Sequence, residues 1–115
     1  MTSPRTATVK RTTRETDVEV TLDIDGSGRC EGSSGIGFLD HLVASLARHA
    51  RFDLTLACRG DLHVDDHHVA EDCALSIGTA LDRALGDEKR GIARFGDAFA
   101  HLDEALARAV VDVSG

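Results

Sequence analysis

The segment from Asp61 to Asp72, DLHVDDHHVAED, concentrates the side chains best suited to hold a divalent cation. It carries five acids and three His. Even scattering of the chain's 20 acids and 6 His would put only about two acids and fewer than one His there. Imidazole nitrogen and carboxylate oxygen are donors that Zn²⁺, Mn²⁺ and Fe²⁺ accept. An Asp beside a His can also hold the second ring nitrogen and set the tautomer. On a helix that begins near His67, Glu71 lies four residues after His67 and three after His68, so one turn brings it beside them. The two His diverge by about 100° on such a helix, and HHxxE therefore points to two ions sharing one segment. The same residues also fit a solvated helix start capped by Asp66, and spacing alone leaves both readings open. His41, in GFLDHL, is the next candidate, and His49 follows about two turns later on the same helix. His63 alternates with Leu62 and Val64, and His101 stands alone; neither belongs to a pattern.

The elements that position these residues are legible from periodicity. Asp17 to Asp25 alternates, with Val18, Val20, Leu22 and Ile24 on one face, which predicts a half-buried antiparallel strand. Arg5 to Thr13 is β-rich and can pair with it. A Gly- and Ser-rich loop follows from Asp25 to Gly37. Phe38 to His49 has helical spacing, Phe52 to Cys58 returns to period two, and Val69 to Leu85 predicts a second helix that stops at Gly86. Ile92 to Phe99 and Glu104 to Val113 predict two further strands, although Ala-rich Glu104 to Ala109 fits the start of a helix equally well. The order implies an α+β fold: an antiparallel or mixed sheet with two helices packed on one face.

Composition narrows the function classes. The chain has 115 residues, 42% of them hydrophobic, with 13 Lys and Arg against 20 Asp and Glu for a formal charge of −7. That balance disfavours a nucleic-acid backbone as partner. With no Trp or Tyr and four Phe, stacking platforms are also disfavoured. No apolar run approaches a membrane span. Cys30, Cys58 and Cys73 form no CxxC pair, which is the usage of a reducing compartment, so a cytoplasmic location is expected.

Four strings stand in the order and spacing found in imidazoleglycerol-phosphate dehydratases: KRTTRET at Lys10 to Thr16, GIGFLDHL at Gly35 to Leu42, GDLHVDDHHVAED at Gly60 to Asp72, and KRGIARFG at Lys89 to Gly96. From Arg5 to Gly115 the chain resembles that family. The resemblance implies a histidine-biosynthesis lyase that dehydrates imidazole glycerol phosphate to imidazole acetol phosphate with two Mn²⁺ per site. It implies metal ligation by His41, His67, His68 and Glu71, and catalytic roles for Glu15 and Glu71. Substrate contacts are implied for Glu15, His41, His49, His67, Glu71 and Arg94, the last as a guanidinium that grips phosphate. Ser34, Leu42 and Val69 stand where the family commonly has Thr, Met and Thr.

Family members are two fused copies of one ββαβα half. The resemblance therefore makes residues 1–90 the first dehydratase repeat and residues 91–115 the opening strands of an incomplete second. It also implies a homo-oligomer of twenty-four subunits with sites at subunit interfaces. Four ligands fall short of what two ions of about six donors each need, even with some positions left to substrate or water, so half a site is expected from this stretch. The alternative is a non-catalytic metal-binding or assembly module that keeps this half-site.

Overall fold

A computed structural model describes residues 4–87 and 89–114. The elements run β1 (Thr6–Thr12), β2 (Thr16–Asp23), β3 (Cys30–Ser33), α1 (Gly37–Ala50), β4 (Asp53–Gly60), α2 (His67–Leu85), β5 (Phe95–Leu102) and β6 (Ala105–Asp112). This is the expected α+β arrangement.

The alternation in β2 sets the first sheet. Val18, Val20 and Leu22 are buried, and the residues between Thr16 and Leu22 on the other face are exposed. β2 pairs antiparallel with β1 (Val9 opposite Val20) and with β4 (Leu56 opposite Val20), so one row of aliphatic side chains crosses three strands. The sheet order is β1-β2-β4-β3. Both helices cover the same face: Val43 and Ala47 of α1 and Val69, Cys73 and Ala80 of α2 join the strand residues in one core. Burial in that core raises the Cys73 thiol to about 12, an inert apolar role.

The stretch expected as a plain loop holds β3, parallel to β4 with Gly32 opposite Leu56. Its sequence, Cys-Glu-Gly-Ser, has no alternation to reveal it. Tertiary pairing, not local propensity, makes it a strand.

β5 and β6 form a separate antiparallel hairpin whose residues are all exposed, with Phe95, Phe99, Leu106 and Val110 among them. Arg94 closes its base by a two-point bond to Asp112, at 2.5 and 3.0 Å.

Gly78 lies inside α2, and a Cβ there would meet nothing within 4 Å. Gly78→Ala is expected to raise stability by about 0.5–1 kcal/mol, because Ala loses less backbone freedom on entering a helix. Urea denaturation followed by circular dichroism would show it as a higher midpoint.

Candidate metal centre

The end of β4 is pressed against the start of α2. A Cβ on Gly60 would lie 2.4 Å from Val69 Cγ2 and 3.1 Å from Thr16 Cγ2, so the missing side chain is what lets β2, β4 and α2 meet. Asp61 follows, and its carbonyl accepts the N–H groups of Val64 (2.8 Å) and Asp65 (3.3 Å), which fold the chain into a turn. Asp65 then caps α2: its Oδ1 accepts from the N–H of Asp66 (2.5 Å) and of His67 (3.2 Å). Asp66 occupies the expected cap position but makes no side-chain capping bond. Its φ of −78° and ψ of −14° are helical, which turns its carboxylate away from the N–H groups that a cap in the extended region would reach.

The first two turns of α2 carry three of the four proposed ligands. His67 Nε2 and Glu71 Oε2 are 3.3 Å apart across one turn. The His67 and His68 ring centroids stand 5.4 Å apart, edge to face with 74° between the ring planes. His68 turns inward instead, with Nδ1 2.7 Å from Asp61 Oδ2. That hydrogen bond, supplemented by the charges of Asp61, Glu15 and Glu71, raises the His68 pKa above the ordinary imidazole value against a smaller opposing effect of burial. Glu71 thus touches His67 and acts on His68 only through its field. Asp61 belongs to the acidic cluster read in the sequence, but spacing does not name His68 as its partner. The signal was Gly60, which marks the close approach that seats it.

Glu15 sits in the turn between β1 and β2. With Arg14, Arg59, Asp61 and His63 it lines a surface groove of about 420 Å³. The turn is tied to α2 by Asp72, whose Oδ2 accepts from Thr16 Oγ1 at 2.5 Å and whose Oδ1 accepts from Arg11 Nε at 3.0 Å. The Thr16 hydroxyl above all, with help from Arg11 and against burial, holds the Asp72 carboxyl below the usual range.

His41 is exposed at the start of the second turn of α1. Its neighbour Asp40 accepts from Ser33 Oγ (2.6 Å), Ser34 N (2.7 Å) and Ser34 Oγ (2.6 Å), which pins α1 to the end of β3. Burial opposes ionisation of Asp40, but these bonds outweigh it and lower its pKa. His49 lies at the opposite end of α1, in a cavity with Ser27, Gly28, Arg48 and Arg51. Arg94 is bound to Asp112 on the β5–β6 hairpin. The structure therefore gathers His67, His68, Glu71 and Asp61, sets Glu15 in the groove that Asp61 borders, and leaves His41, His49 and Arg94 on other elements. Among the described residues no three His, Cys, Asp or Glu side chains converge on one point.

A family model described as imidazoleglycerol-phosphate dehydratase matches residues 34–115, a span that includes α1, β4, α2 and the hairpin. The chain belongs to that family. It is 58% identical over 113 residues to an imidazoleglycerol-phosphate dehydratase of Salinibacter ruber, covering 98% of this chain and 55% of the relative. It is 55% identical over 111 residues to one of Cereibacter sphaeroides, covering 96% and 56%. A crystal structure of imidazoleglycerol-phosphate dehydratase from Staphylococcus aureus superposes with a TM-score of 0.78 at 31% identity, over 95% of this chain and 58% of that one. The chain spans about half the length of these imidazoleglycerol-phosphate dehydratases.

The residues present suit a divalent cation as a partial donor set. Two ligand atoms each about 2.1 Å from one ion and at a right angle to each other lie about 3 Å apart. The 3.3 Å between His67 Nε2 and Glu71 Oε2 matches two neighbouring positions of that kind. A second imidazole with a carboxylate on its other nitrogen is the usual outer support of a metal-binding His.

Proposed function

We propose that this chain carries part of the active site of a lyase that dehydrates imidazole glycerol phosphate to imidazole acetol phosphate in histidine biosynthesis. The start of α2 supports the reading best: His67 and Glu71 at ligand spacing beside a carboxylate-held His68, in a member of this family. His67, His68 and Glu71 would hold Mn²⁺, with His41 supplied from α1. When bound, the metal would supply Lewis acidity and a fixed anchor for the substrate's imidazole.

The chain's own residues would do the rest. The reaction removes a carbon-bound proton and a hydroxyl as water, and the resulting enol becomes the ketone. Glu15, exposed in the groove beside Asp61, is suited to orient the glycerol hydroxyls or to carry a proton. His49 would border the bound substrate. Arg94 would offer phosphate the two-point geometry it now gives Asp112.

The protein would act in the cytoplasm as a homo-oligomer. No helix among the described residues is long and apolar enough to cross a membrane. Phe38, Leu42 and Leu46 on α1 and Phe95, Phe99, Leu106 and Val110 of β5–β6 are exposed, the kind of apolar surface that interaction sites present. A second copy would cover it and bring further donors to His41 and to the start of α2. On this reading β5–β6 opens a second repeat.

Glu71→Gln is expected to weaken Mn²⁺ binding by at least about tenfold in calorimetric titration, a loss of about 1.4 kcal/mol. It is also expected to lower turnover of imidazole glycerol phosphate. Unchanged affinity and full turnover would remove Glu71 from the ligand set. The incomplete convergence of donors favours one second reading, a metal-binding or assembly module without turnover. Tight Mn²⁺ binding with no dehydration of the substrate would select it.

A further inference from the structure

Asp61 has no role in the proposed reaction so far, yet its position is costly to maintain. It requires Gly60 at the junction of β2, β4 and α2. Its side chain is only 14% exposed, and Oδ1 is buried with no hydrogen-bond partner among the described residues. A buried acceptor left open in this way calls for an account of what the group does. The contact that Oδ2 makes, 2.7 Å to His68 Nδ1, suggests one.

A carboxylate oxygen accepts, so the 2.7 Å contact suits the tautomer in which Nδ1 carries the hydrogen. In the neutral ring the lone pair is then on Nε2, at the far side of the imidazole from Asp61. We infer that Asp61 is a positioning residue: by holding Nδ1–H it fixes the tautomer and ring orientation of His68, so that Nε2 is the atom presented to a divalent cation. This rests on the reading of His68 as a ligand given above. The turn that follows Asp61 adds to the effect, because the residue's own carbonyl closes it and carries the chain into the helix that bears His68.

The test uses the full chain and two readouts that do not depend on turnover. Long-range ¹⁵N correlation spectra of the metal-free protein report which nitrogen of the neutral His68 ring is protonated. Mn²⁺ titration reports affinity. The wild type is expected to show Nδ1–H. Asp61→Ala is expected to move the ring toward Nε2–H and to weaken Mn²⁺ binding by about 10- to 100-fold. Asp61→Asn, which keeps the shape and an accepting oxygen, should fall between the two and serves in place of Asp61→Ala if that variant does not fold. Nε2–H in the wild type would overturn the inference. So would a loss of affinity with the tautomer unchanged, which would make Asp61 merely structural. Absence of turnover with the tautomer shift intact would count against the lyase reading and leave the positioning role standing.

Discussion

Asp72→Ala is expected to destabilise the chain by about 2–3 kcal/mol, more than any ion-pair substitution on its surface. Asp72 is 6% exposed and Thr16 is 4% exposed, so the 2.5 Å bond between them lies in the interior. Removing the carboxylate leaves the Thr16 hydroxyl buried with only Thr13 Oγ1, at 3.1 Å, to turn to. The Arg11 side chain is 43% exposed, so its attraction to Asp72 is screened, and Arg11→Ala should cost less than about 1 kcal/mol. Urea denaturation of both variants decides which bond is the anchor; equal losses would show that the ion pair dominates. The bond also has a functional side. It joins the residue after Glu15 to the residue after Glu71, so Asp72→Ala should loosen the turn that holds one against the helix that holds the other.

Much of this arrangement could be read from residue order, and the limits of that reading have physical causes. Strict alternation from Asp17 marked β2 because one sheet face is buried and the other is wet. The helical face of α2 was equally plain, and with it the closeness of His67 and Glu71, since one helical turn fixes their spacing. What could not be read were contacts between elements. β3 exists because β4 offers it a free edge, and nothing in Cys-Glu-Gly-Ser announces that. The link from Asp61 to His68 crosses a turn whose path depends on Gly60 meeting Val69. The Asp72 anchor joins residues 56 positions apart. Asp65 takes the capping role expected of Asp66 because one residue's backbone angles decide which carboxylate can reach. His41 and His49 share a helix, but they stand near its opposite ends, and periodicity does not say which end faces the chemistry.

Gly60→Ala is expected to cost about 2–3 kcal/mol, although Gly60 is itself exposed. The added methyl would stand 2.4 Å from Val69 Cγ2 and 3.1 Å from Thr16 Cγ2, the first far inside van der Waals contact. A flexible neighbour would swing aside, but Val69 cannot. It is β-branched, confined to one rotamer on a helix, and fully buried against the sheet. Either the first turn of α2, which holds His68, or the end of β4, which leads into Asp61, must therefore move. The position needs a β-branched shape against Gly60, and it lies in the core, where Val leaves no hydroxyl in need of a partner. A double-mutant cycle separates the clash from any general intolerance of Ala at this site. Val69→Ala opens a cavity and is destabilising alone, but it removes the methyl that the Gly60→Ala side chain would strike. The two losses should then sum to more than the double variant shows, by about 1–2 kcal/mol. Strict additivity would mean that Gly60 is needed for its backbone alone, and the packed junction would not be what places Asp61 beside His68.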